Sequence, residues 1–432
     1  MRTLRIQRVG RKAWVGFIAT GIVGACAVTA VGCNDVPGDP TAGEIDVRTL
    51  DVGNYPTTPL DLRAIYDHAP STGQDLAVGR LAGAIANGIE IDPSLKYGLR
   101  TKDITTSFTA TMVFTEEVKP IVERYGMMFG FTATTSTHPL VESNIVHIPR
   151  TINAFDGETP DPASTSVNIT ILQFPDEQRA RSAAEEIEAA DFAVAPENAA
   201  VTIDKYPSAR AHWRPGVPSL GSTIAHGAYL VNVYVEQPTP ELDRLKEYTE
   251  KVLATQLPLL DTLPPLTNRD MLLLDYDPDS MLQRTLHPGK YPAPAALSEM
   301  SYVPRAFLHF VSDQSFWKKL IDDNGVDRIS TAAKGGLLMR APDAEAAAKL
   351  WSEWKVPDHS SADTPTGMRD VFCAENPKPK PSDFGTSWNV NDRYYCTVRY
   401  DRYVARVHGM QLKDVHQRAA AQYALLANSQ VL

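Results

Sequence analysis

The chain has 432 residues, of which 43% are hydrophobic and 22% are charged, which is core material for one large or two ordinary domains. Its 42 basic and 52 acidic side chains give a net charge of −10. This acidity disfavours nucleic acid as a partner, because phosphates are bound by basic patches, and it disfavours peripheral binding to anionic lipid heads.

The first 33 residues have the three parts of a secretory signal. A basic, acid-free head precedes an apolar run from Ala13 to Val31, and the run ends at Gly32 and Cys33. A cysteine at the cut site predicts a lipoprotein, in which Cys33 becomes the first residue and carries acyl chains. Two alternatives stay open: lipidation at Cys26, and a plain signal peptide or uncleaved anchor, since the run approaches the ~20 residues that span a bilayer.

The sequence after Cys33 predicts a tether and then two folded domains. Without residues 1–33 the chain keeps 37 basic and 52 acidic side chains, a net charge of −15. Residues 34–43 are polar and contain Pro and Gly, which is typical of a flexible tether. We expect an N-terminal domain at 44–267 and a C-terminal domain at 268–432. The proline-containing segment Leu257–Asn268 is predicted to be a stiff linker between them.

Two helical segments repeat at an offset of 167 residues. Asp176 and Asp343 are predicted N-caps, each followed by apolar residues at the i, i+3, i+4, i+7 spacing of an amphipathic helix. The apolar positions are Ala180, Ala183, Ala184 and Ile187 in the first copy, and Ala347, Leu350, Trp351 and Trp354 in the second. Each helix follows an apolar run, Val167–Phe174 or Gly336–Arg340, that is predicted to be a strand.

The match extends in both directions along the chain. Helices ending at Gly126 and Gly325 correspond at offset 199, which implies 32 extra residues within 131–166 of the first copy. Strands beginning at Tyr229 and Tyr403 correspond at offset 174, and closing helices are predicted at 240–256 and 412–428. We therefore predict an α+β fold of two related units, each a mainly antiparallel sheet with helices packed on one face, with a ferredoxin-like, split βαβ resemblance.

Several short motifs resemble those of a known family. They are residues 50–57 (LDVGNYPT), 79–82 (GRLA), 91–93 (IDP), 130–132 (GFT) and 171–176 (ILQFPD). This set resembles a family of actinobacterial cell-envelope lipoproteins that have an N-terminal domain of unknown function and a related C-terminal one. The resemblance covers most of the chain after the leader. It implies location and fold, and it supplies no catalytic residue.

Two cysteines beyond the leader, Cys373 and Cys396, are predicted to form a disulfide, because an even pair in an exported protein is typical of one. The loop that they close predicts a stabilisation of ~3 kcal/mol. The alternative is two free buried thiols.

No catalytic motif stands out, and we predict no catalytic residue, metal ligand or cofactor site. The ten histidines include no HExxH pair, and neither a GxSxG nor a P-loop motif is present. Trp351 and Trp354 face inward on their predicted helix. They are expected either to pack in an ordinary core or to line an apolar pocket for a hydrophobic ligand.

These observations favour a lipid-anchored protein on the extracytoplasmic face of the cell membrane, attached through Cys33. The leading hypothesis is a noncatalytic binding or scaffold lipoprotein that engages lipid, glycan or another envelope protein. A solute- or lipid-binding receptor with a cleft between the units is the second, and converging polar groups would favour it. An extracytoplasmic hydrolase is the third, and a buried histidine–carboxylate–hydroxyl cluster would favour that.

Overall fold

A computed structural model describes residues 45–65, 68–142, 158–289, 299–332, 336–356, 359–378 and 392–430. Cys26, Cys33 and the predicted tether lie outside these residues. The helices are α1 (Leu62–Ile65), α2 (Pro70–Ala82), α3 (Gly88–Ile91), α4 (Ser107–Thr111), α5 (Val118–Tyr125), α6 (Glu177–Phe192), α7 (Leu242–Asp261), α8 (Asn268–Leu272), α9 (Pro304–Leu308), α10 (Gln314–Asp323), α11 (Ala344–Glu353) and α12 (Leu412–Ala427). In the described part of the chain, none of them is long and apolar enough to cross a bilayer.

The first half of the chain builds a seven-stranded antiparallel sheet in the order β1-β2-β5-β9-β8-β7-β6. Its strands are β1 (Tyr97–Ile104), β2 (Phe129–Ser136), β5 (Ser166–Gln173), β6 (Ala199–Thr202), β7 (Arg210–Trp213), β8 (Ser219–His226) and β9 (Tyr229–Glu236). A two-stranded ribbon of β3 (Val141–Glu142) and β4 (Glu158–Thr159) lies between β2 and β5 in the chain. The extra residues of the first copy therefore fall where the change of offset predicts them.

The second half builds a second antiparallel sheet, in the order β10-β11-β12-β16-β15-β14-β13. Its strands are β10 (Met300–Tyr302), β11 (Arg328–Thr331), β12 (Gly336–Arg340), β13 (Ser360–Ala362), β14 (Val371–Glu375), β15 (Tyr394–Tyr400) and β16 (Tyr403–Gly409). When the seven strands of each sheet are numbered in chain order, both sheets have the order 1-2-3-7-6-5-4. Helices stand at corresponding places along the two halves of the chain. The prediction of two related α+β units with mainly antiparallel sheets is confirmed.

Each sheet contains a split βαβ arrangement, with more strands between its two parallel strands than a ferredoxin-like unit has. Helix α6 joins β5 to β6, and α11 joins β12 to β13. All neighbouring strands are antiparallel. The two strands that each helix joins, β5 and β6 or β12 and β13, have three other strands between them and therefore run in the same direction. Each sheet therefore has seven strands, whereas a ferredoxin-like unit has four.

Helices cover both faces of each sheet, which corrects the expectation of a single covered face. In β5, Val167 and Ile169 pack in the cluster that contains α7, whereas Leu172 packs with α6. In β12, Met339 packs in the cluster that contains α11, and Leu338 packs with the end of α12. Apolar residues on both sides of the same strand need cover on both faces.

Backbone hydrogen bonds confirm the alignment of the copies residue by residue. The amide of Phe174 donates to Ala228 O at 2.9 Å, and that of Ala341 donates to Arg402 O at the same distance. The predicted N-caps also correspond, since Asp176 accepts from Arg179 N and Asp343 accepts from Ala346 N, both at 2.8 Å. Gly126 and Gly325 end their helices with φ of +69° and +59°, left-handed values that favour glycine.

Helix α7 continues beyond its predicted end and includes the first five residues of the predicted linker, with Pro258 in its last turns. Leu260 is buried there, and Leu257 packs against the same core. Burial of these side chains holds the helix together through the proline, which removes only one intrahelical hydrogen bond. The predicted domain boundaries themselves stay predictions.

Candidate ligand-binding site

A polar cavity of about 400 Å³ lies at one end of the second sheet. It opens where β12 ends, beside the β15–β16 turn and the last turn of α12. We call it the arginine pocket. It is lined by Asp279, Ser280, Arg284, Arg340, Asp401, Arg402, Tyr403, Leu426, Ser429 and Gln430. Its volume is in the range of small-molecule sites, but its lining is more polar than is usual for a drug-sized apolar ligand.

Arg284 is almost fully buried and fixes the backbone around the pocket. Its guanidinium donates to the carbonyl oxygens of Asp279 (3.2 Å), Ser280 (2.9 Å) and Ser429 (3.2 Å). It also lies 5.5 Å from the ring centre of Tyr403. One cation thus joins the loop before β10, the end of α12 and the start of β16.

Two further arginines hold the acidic side chains of this region. Arg340 donates to both carboxylate oxygens of Asp327, at 2.8 and 2.9 Å, and reaches Asp279 at 3.3 Å. Arg328 donates to Asp279 at 2.7 Å. Burial works to raise the pKa of Asp279, but the hydrogen bond from Arg328 and the charges of both arginines hold it below its usual value. Asp279 is therefore a carboxylate at neutral pH.

Arg402 differs from the other pocket arginines. Within the described part of the chain, its buried Nε atom has no hydrogen-bond acceptor. A buried donor of this kind is costly to leave unpaired, and such atoms are rare in folded proteins. Its guanidinium lies 5.9 Å from the Tyr403 ring. The Nε atom has almost no accessible surface, so it is buried beside the pocket and does not face a ligand in it.

The pocket also gathers unusual backbone conformations. Asp279, Ser280 and Asp401 have φ of 59°, 55° and 48°, and they are all the non-glycine residues with positive φ in the described chain. At the turn of the first copy that corresponds to Asp401, the chain has Gly227, also with positive φ. An aspartate therefore stands where glycine would be less strained, and such residues concentrate at functional sites.

A buried glutamine marks the same place in both copies. Gln422 accepts from Leu286 N at 2.8 Å and donates to Arg284 O at 2.8 Å. Gln256 accepts from Ala86 N at 2.9 Å and donates to Ala84 O at 2.8 Å. Ala84 in the first copy thus corresponds to Arg284 in the second, at the edge of the pocket.

In the first copy, the corresponding place is filled by the chain itself. Gln173, the counterpart of Arg340, donates to Leu266 O at 2.7 Å and accepts from Leu266 N at 3.0 Å. Tyr229, the counterpart of Tyr403, donates to Leu263 O at 3.1 Å. An extended, proline-containing segment, 263–266, therefore occupies the position at which the second copy has its pocket.

Sequence reasoning missed the pocket, although the offsets already aligned its residues. Charged residues of the second copy stand at positions 340, 401 and 402, and uncharged residues of the first copy, Gln173, Gly227 and Ala228, stand opposite them. The replacement of these three uncharged residues by Arg, Asp and Arg is the sequence signal that could have indicated the pocket.

Trp351 and Trp354 pack against side chains of the second unit. Trp354 is buried, meets Trp317 edge to face with ring centres 5.8 Å apart, and covers the guanidinium of Arg406 at 4.0 Å. Trp351 is half-buried and donates to Thr397 O at 3.1 Å. The two side chains belong to the core packing of the second unit, the first of the two expectations.

Arg406 is a buried cation held by helix α11 and two aromatic rings. Its guanidinium donates to the carbonyl of Trp354 at the C-terminal end of α11 and to Thr397 Oγ1, and it stacks against Tyr395 at 4.5 Å. Burial lowers the pKa of Arg406 to about 9. A cation at a helix C-terminus is favoured by the helix dipole, which gives this residue a structural role.

A histidine–carboxylate–hydroxyl cluster lies in the first unit, but its order differs from that of a hydrolase. Glu188 lies in the middle: its carboxylate contacts His212 Nδ1 at 2.7 Å and accepts from Thr223 at 2.9 Å. In a nucleophilic triad the histidine lies between hydroxyl and carboxylate and takes the hydroxyl proton. Here His212 directs its other nitrogen towards Asp191, 3.8 Å away, so it is not placed to activate Thr223.

In this cluster, His212 and the neighbouring carboxylates favour each other's charged forms. Burial works to lower the pKa of His212, but the hydrogen bond to the Glu188 carboxylate and the charges of Glu188 and Asp191 raise it above its ordinary value. Burial raises the pKa of Glu188, with His212 opposing the rise. The cluster is a buried, hydrogen-bonded histidine–carboxylate pair at the interface of α6 with β7 and β8.

Cys373 and Cys396 form a disulfide between directly paired residues of β14 and β15, with Cα atoms 4.1 Å apart. His416 lies beside them, and these three residues are the group of possible metal ligands found in the described part of the chain. Because both sulfur atoms are bonded to each other, neither offers a thiolate to a metal ion. Cys33, the predicted lipidation site, lies outside the described residues.

Comparison with known proteins gives a family and no activity. No curated protein matches the sequence. Among solved structures, the extracellular domain of PknH from Mycobacterium tuberculosis is similar at a TM-score of 0.26 and 12% identity, covering 43% of this chain and 96% of that one. The sequence matches the descriptions "Domain of unknown function (DUF7373) N-terminal" over residues 65–276 and "Domain of unknown function (DUF7373) C-terminal" over residues 281–429. These two matches together cover most of the chain, and the protein belongs to the DUF7373 family.

Proposed function

We propose that this protein is an exported, lipid-anchored protein of the cell envelope that binds a small polar ligand without catalysing a reaction. The observation that carries the binding function is the arginine pocket, a cavity of about 400 Å³ that is lined by Arg284, Arg340 and Arg402.

Export and anchoring are supported by the leader and by the disulfide. The leader ends at a cysteine, and Cys373 and Cys396 are bonded as expected in an oxidising compartment. The net charge of −15 that remains without residues 1–33 makes the acyl chains at Cys33, rather than basic side chains, the proposed means of membrane attachment.

The arrangement of polar groups favours binding over hydrolysis. Glu188 separates His212 from Thr223, so no hydroxyl in that cluster has a histidine base. The pocket lies within the second unit, at the end of its own sheet. A ligand-binding role therefore does not require the cleft between the units that we expected of a transport receptor.

The anchor is tested by changing its cysteine. Cys33→Ser should abolish acylation, so that the protein is released from the membrane fraction or stays unprocessed, whereas Cys26→Ser should behave like wild type. Membrane fractionation with intact-mass measurement decides the point. Equal membrane attachment and equal mass for Cys33→Ser and wild type would contradict the proposed anchor.

Ligand binding is tested by hydrogen exchange in the presence of small molecules extracted from the source envelope. The extract should slow amide exchange in segments 279–284, 401–403 and 426–430. The turn at 226–229 is the internal control, because it is the first-copy counterpart of the pocket turn and its neighbourhood is filled by the chain. Unchanged exchange in all three pocket segments would contradict the proposed function.

A further inference from the structure

We propose that the arginine pocket binds an extended, uncharged peptide, of which one backbone carbonyl accepts a hydrogen bond from the hydroxyl group of Tyr403. This inference rests on the proposed binding function and names the ligand class for the same pocket. It follows from a comparison of the chain that leaves the closing helix in each copy.

The residues that follow the closing helix correspond in the two copies. Just after α7, Leu263 N donates to Leu260 O at 3.0 Å, and just after α12, Ser429 N donates to Leu426 O at 3.1 Å. The offset between them, 166 residues, is the same as that between the two buried glutamines. Leu263 and Ser429 are therefore counterparts, and the partners of their carbonyl groups can be compared.

These two carbonyl groups accept from different side chains. In the first copy, the hydroxyl of Tyr229 donates to Leu263 O at 3.1 Å. In the second copy, the guanidinium of Arg284 donates to Ser429 O at 3.2 Å. The first copy has an alanine at the position of Arg284, and alanine has no side-chain donor. Arg284 thus binds the carbonyl that, by analogy with the first copy, would belong to the hydroxyl of Tyr403.

The hydroxyl of Tyr403 is therefore a donor that the pocket offers to a ligand. Tyr403 is half-buried and lines the cavity, and its hydroxyl has no hydrogen-bond partner among the described residues. The hydroxyl is also not one of the inaccessible, unpaired polar atoms in that part of the chain, so a group in the cavity can reach it. In the first copy, the acceptor at this place is a backbone carbonyl of the extended segment 263–266.

An amide group also matches the acidic side of the lining. Asp401 lines the cavity, is exposed, and has no ion pair or side-chain hydrogen bond with another described residue. A peptide offers a C=O acceptor to the hydroxyl and an N–H donor to the carboxylate. We assign Arg340 no contact with the ligand, because it already donates to Asp327 and Asp279. Proline favours binding further, since it holds the chain extended before it binds.

The experiment removes the hydroxyl of Tyr403 and measures peptide binding. The probe is acetyl-Leu-Pro-Pro-Leu-amide, which copies residues 263–266 and has no charge. Its affinity is measured by titration calorimetry, and its position by hydrogen exchange. Tyr403→Phe keeps the ring, whose centre lies 5.5 Å from the guanidinium of Arg284, and removes only the hydroxyl. We expect binding to weaken about three- to tenfold, which is the contribution of one neutral hydrogen bond.

Tyr229→Phe is the matched control. It removes the counterpart hydroxyl, which already donates to Leu263 O, so the affinity for the peptide should stay within about twofold of wild type. Circular dichroism should show both variants folded, because each keeps its aromatic ring. A second peptide, acetyl-Leu-Gly-Gly-Leu-amide, has the same number of carbonyl groups on a flexible backbone and should bind more weakly than the proline peptide.

Several outcomes overturn the inference. They are no saturable binding of the proline peptide up to about 10 mM, equal affinity of wild type and Tyr403→Phe, equal weakening in Tyr403→Phe and Tyr229→Phe, and equal binding of the two peptides. Protection of the turn at 226–229 instead of segment 401–403 would also overturn it. Protection of the pocket by envelope extract would still stand in those cases, so failure of this inference is distinguishable from failure of the proposed function.

Discussion

At the scale of single residues, His309 shows how burial couples a side chain to pH. Its ring is buried between the halves of the chain, with Nε2 3.1 Å from Ile85 O and Nδ1 3.3 Å from the side-chain Nδ2 of Asn87. Burial lowers its pKa to about 4, while the carbonyl of Ile85 and the charge of Glu90 oppose the shift and Arg305 adds to it. His309 is therefore neutral in the folded protein over the physiological range.

This depressed pKa predicts a loss of stability in acid. The unfolded chain takes up the proton near pH 6.5 and the folded chain only near pH 4, so stability is fully present above pH 6.5 and falls as the pH drops towards 4. The loss that is due to this residue should be about 3 kcal/mol in order of magnitude. His309→Gln, compared with wild type by urea unfolding at several pH values, should show a smaller loss over this window.

The exposed His138 provides the control for that series. His138→Gln should follow the wild-type pH dependence, because its side chain lies at the surface. A His309→Gln protein with the same slope as wild type between pH 6.5 and 4 would contradict the assignment.

At the scale of elements, the two buried glutamines are a matched pair. Gln256 and Gln422 each join the penultimate turns of the closing helix to the loop before the first strand of the sheet, with two backbone hydrogen bonds. Both side chains are fully buried. Truncating either leaves a buried N–H and a buried C=O unpaired, which costs about 2 to 4 kcal/mol.

We predict that Gln256→Ala and Gln422→Ala destabilise the protein by similar amounts but differ in their effect on the pocket. Gln422 holds the carbonyl of Arg284, so its loss should also weaken ligand binding, seen as less protection of segment 279–284 by the envelope extract, whereas Gln256→Ala should leave that protection unchanged. Lys413→Ala, an exposed change on the same helix as Gln422, is the control, with an effect below about 0.5 kcal/mol. Equal loss of binding in Gln256→Ala and Gln422→Ala would show that the contact of Gln422 with Arg284 is not what supports the pocket.

The element scale also shows what the sequence could predict. The helix faces at offset 167, the glycine stops and the hairpin strands were readable because each depends on local periodicity or on a single backbone conformation. Gln256 and Gln422 were not, since a lone polar residue on a helix gives no sign that it will be buried against a distant loop. For the same reason the pairing of Glu188 with His212, from different elements, was out of reach.

At the scale of the whole molecule, the halves are joined by a common core. Backbone hydrogen bonds link Gly98 N to Ser312 O and Gln314 N to Lys96 O, at 3.1 and 2.9 Å. Gly79 of α2 lies so close to Met300 that an added Cβ would be 2.0 Å from its sulfur atom. Residues from both sheets belong to one hydrophobic cluster, so the two units share part of their core.

Residues 45–57 add further contacts between the two halves of the chain. Residues 45–57 pack on α12 of the second unit, where Leu50 is buried and Tyr55 donates to Asp414 at 2.5 Å. Asn428, just after α12, donates to Thr57 O at 2.7 Å. The chain thus contacts the second unit before it builds the first, and the start of the predicted N-terminal domain is packed on the C-terminal one.

We therefore predict that the two sheets unfold in one cooperative transition. Ile171→Ala in the first sheet and Met339→Ala in the second each remove a fully buried side chain from the shared cluster, at a cost of about 2 to 4 kcal/mol. Because the core is shared, each change should accelerate native-state hydrogen exchange through global unfolding in both β5 and β16 by a similar factor. The measurement is exchange followed by mass spectrometry of peptides from each sheet, with the exposed Arg181→Gln as control. If Ile171→Ala accelerated exchange in β5 and left β16 at the wild-type rate, the halves would be independent folding units, and the shared cluster would contribute little to the stability of either.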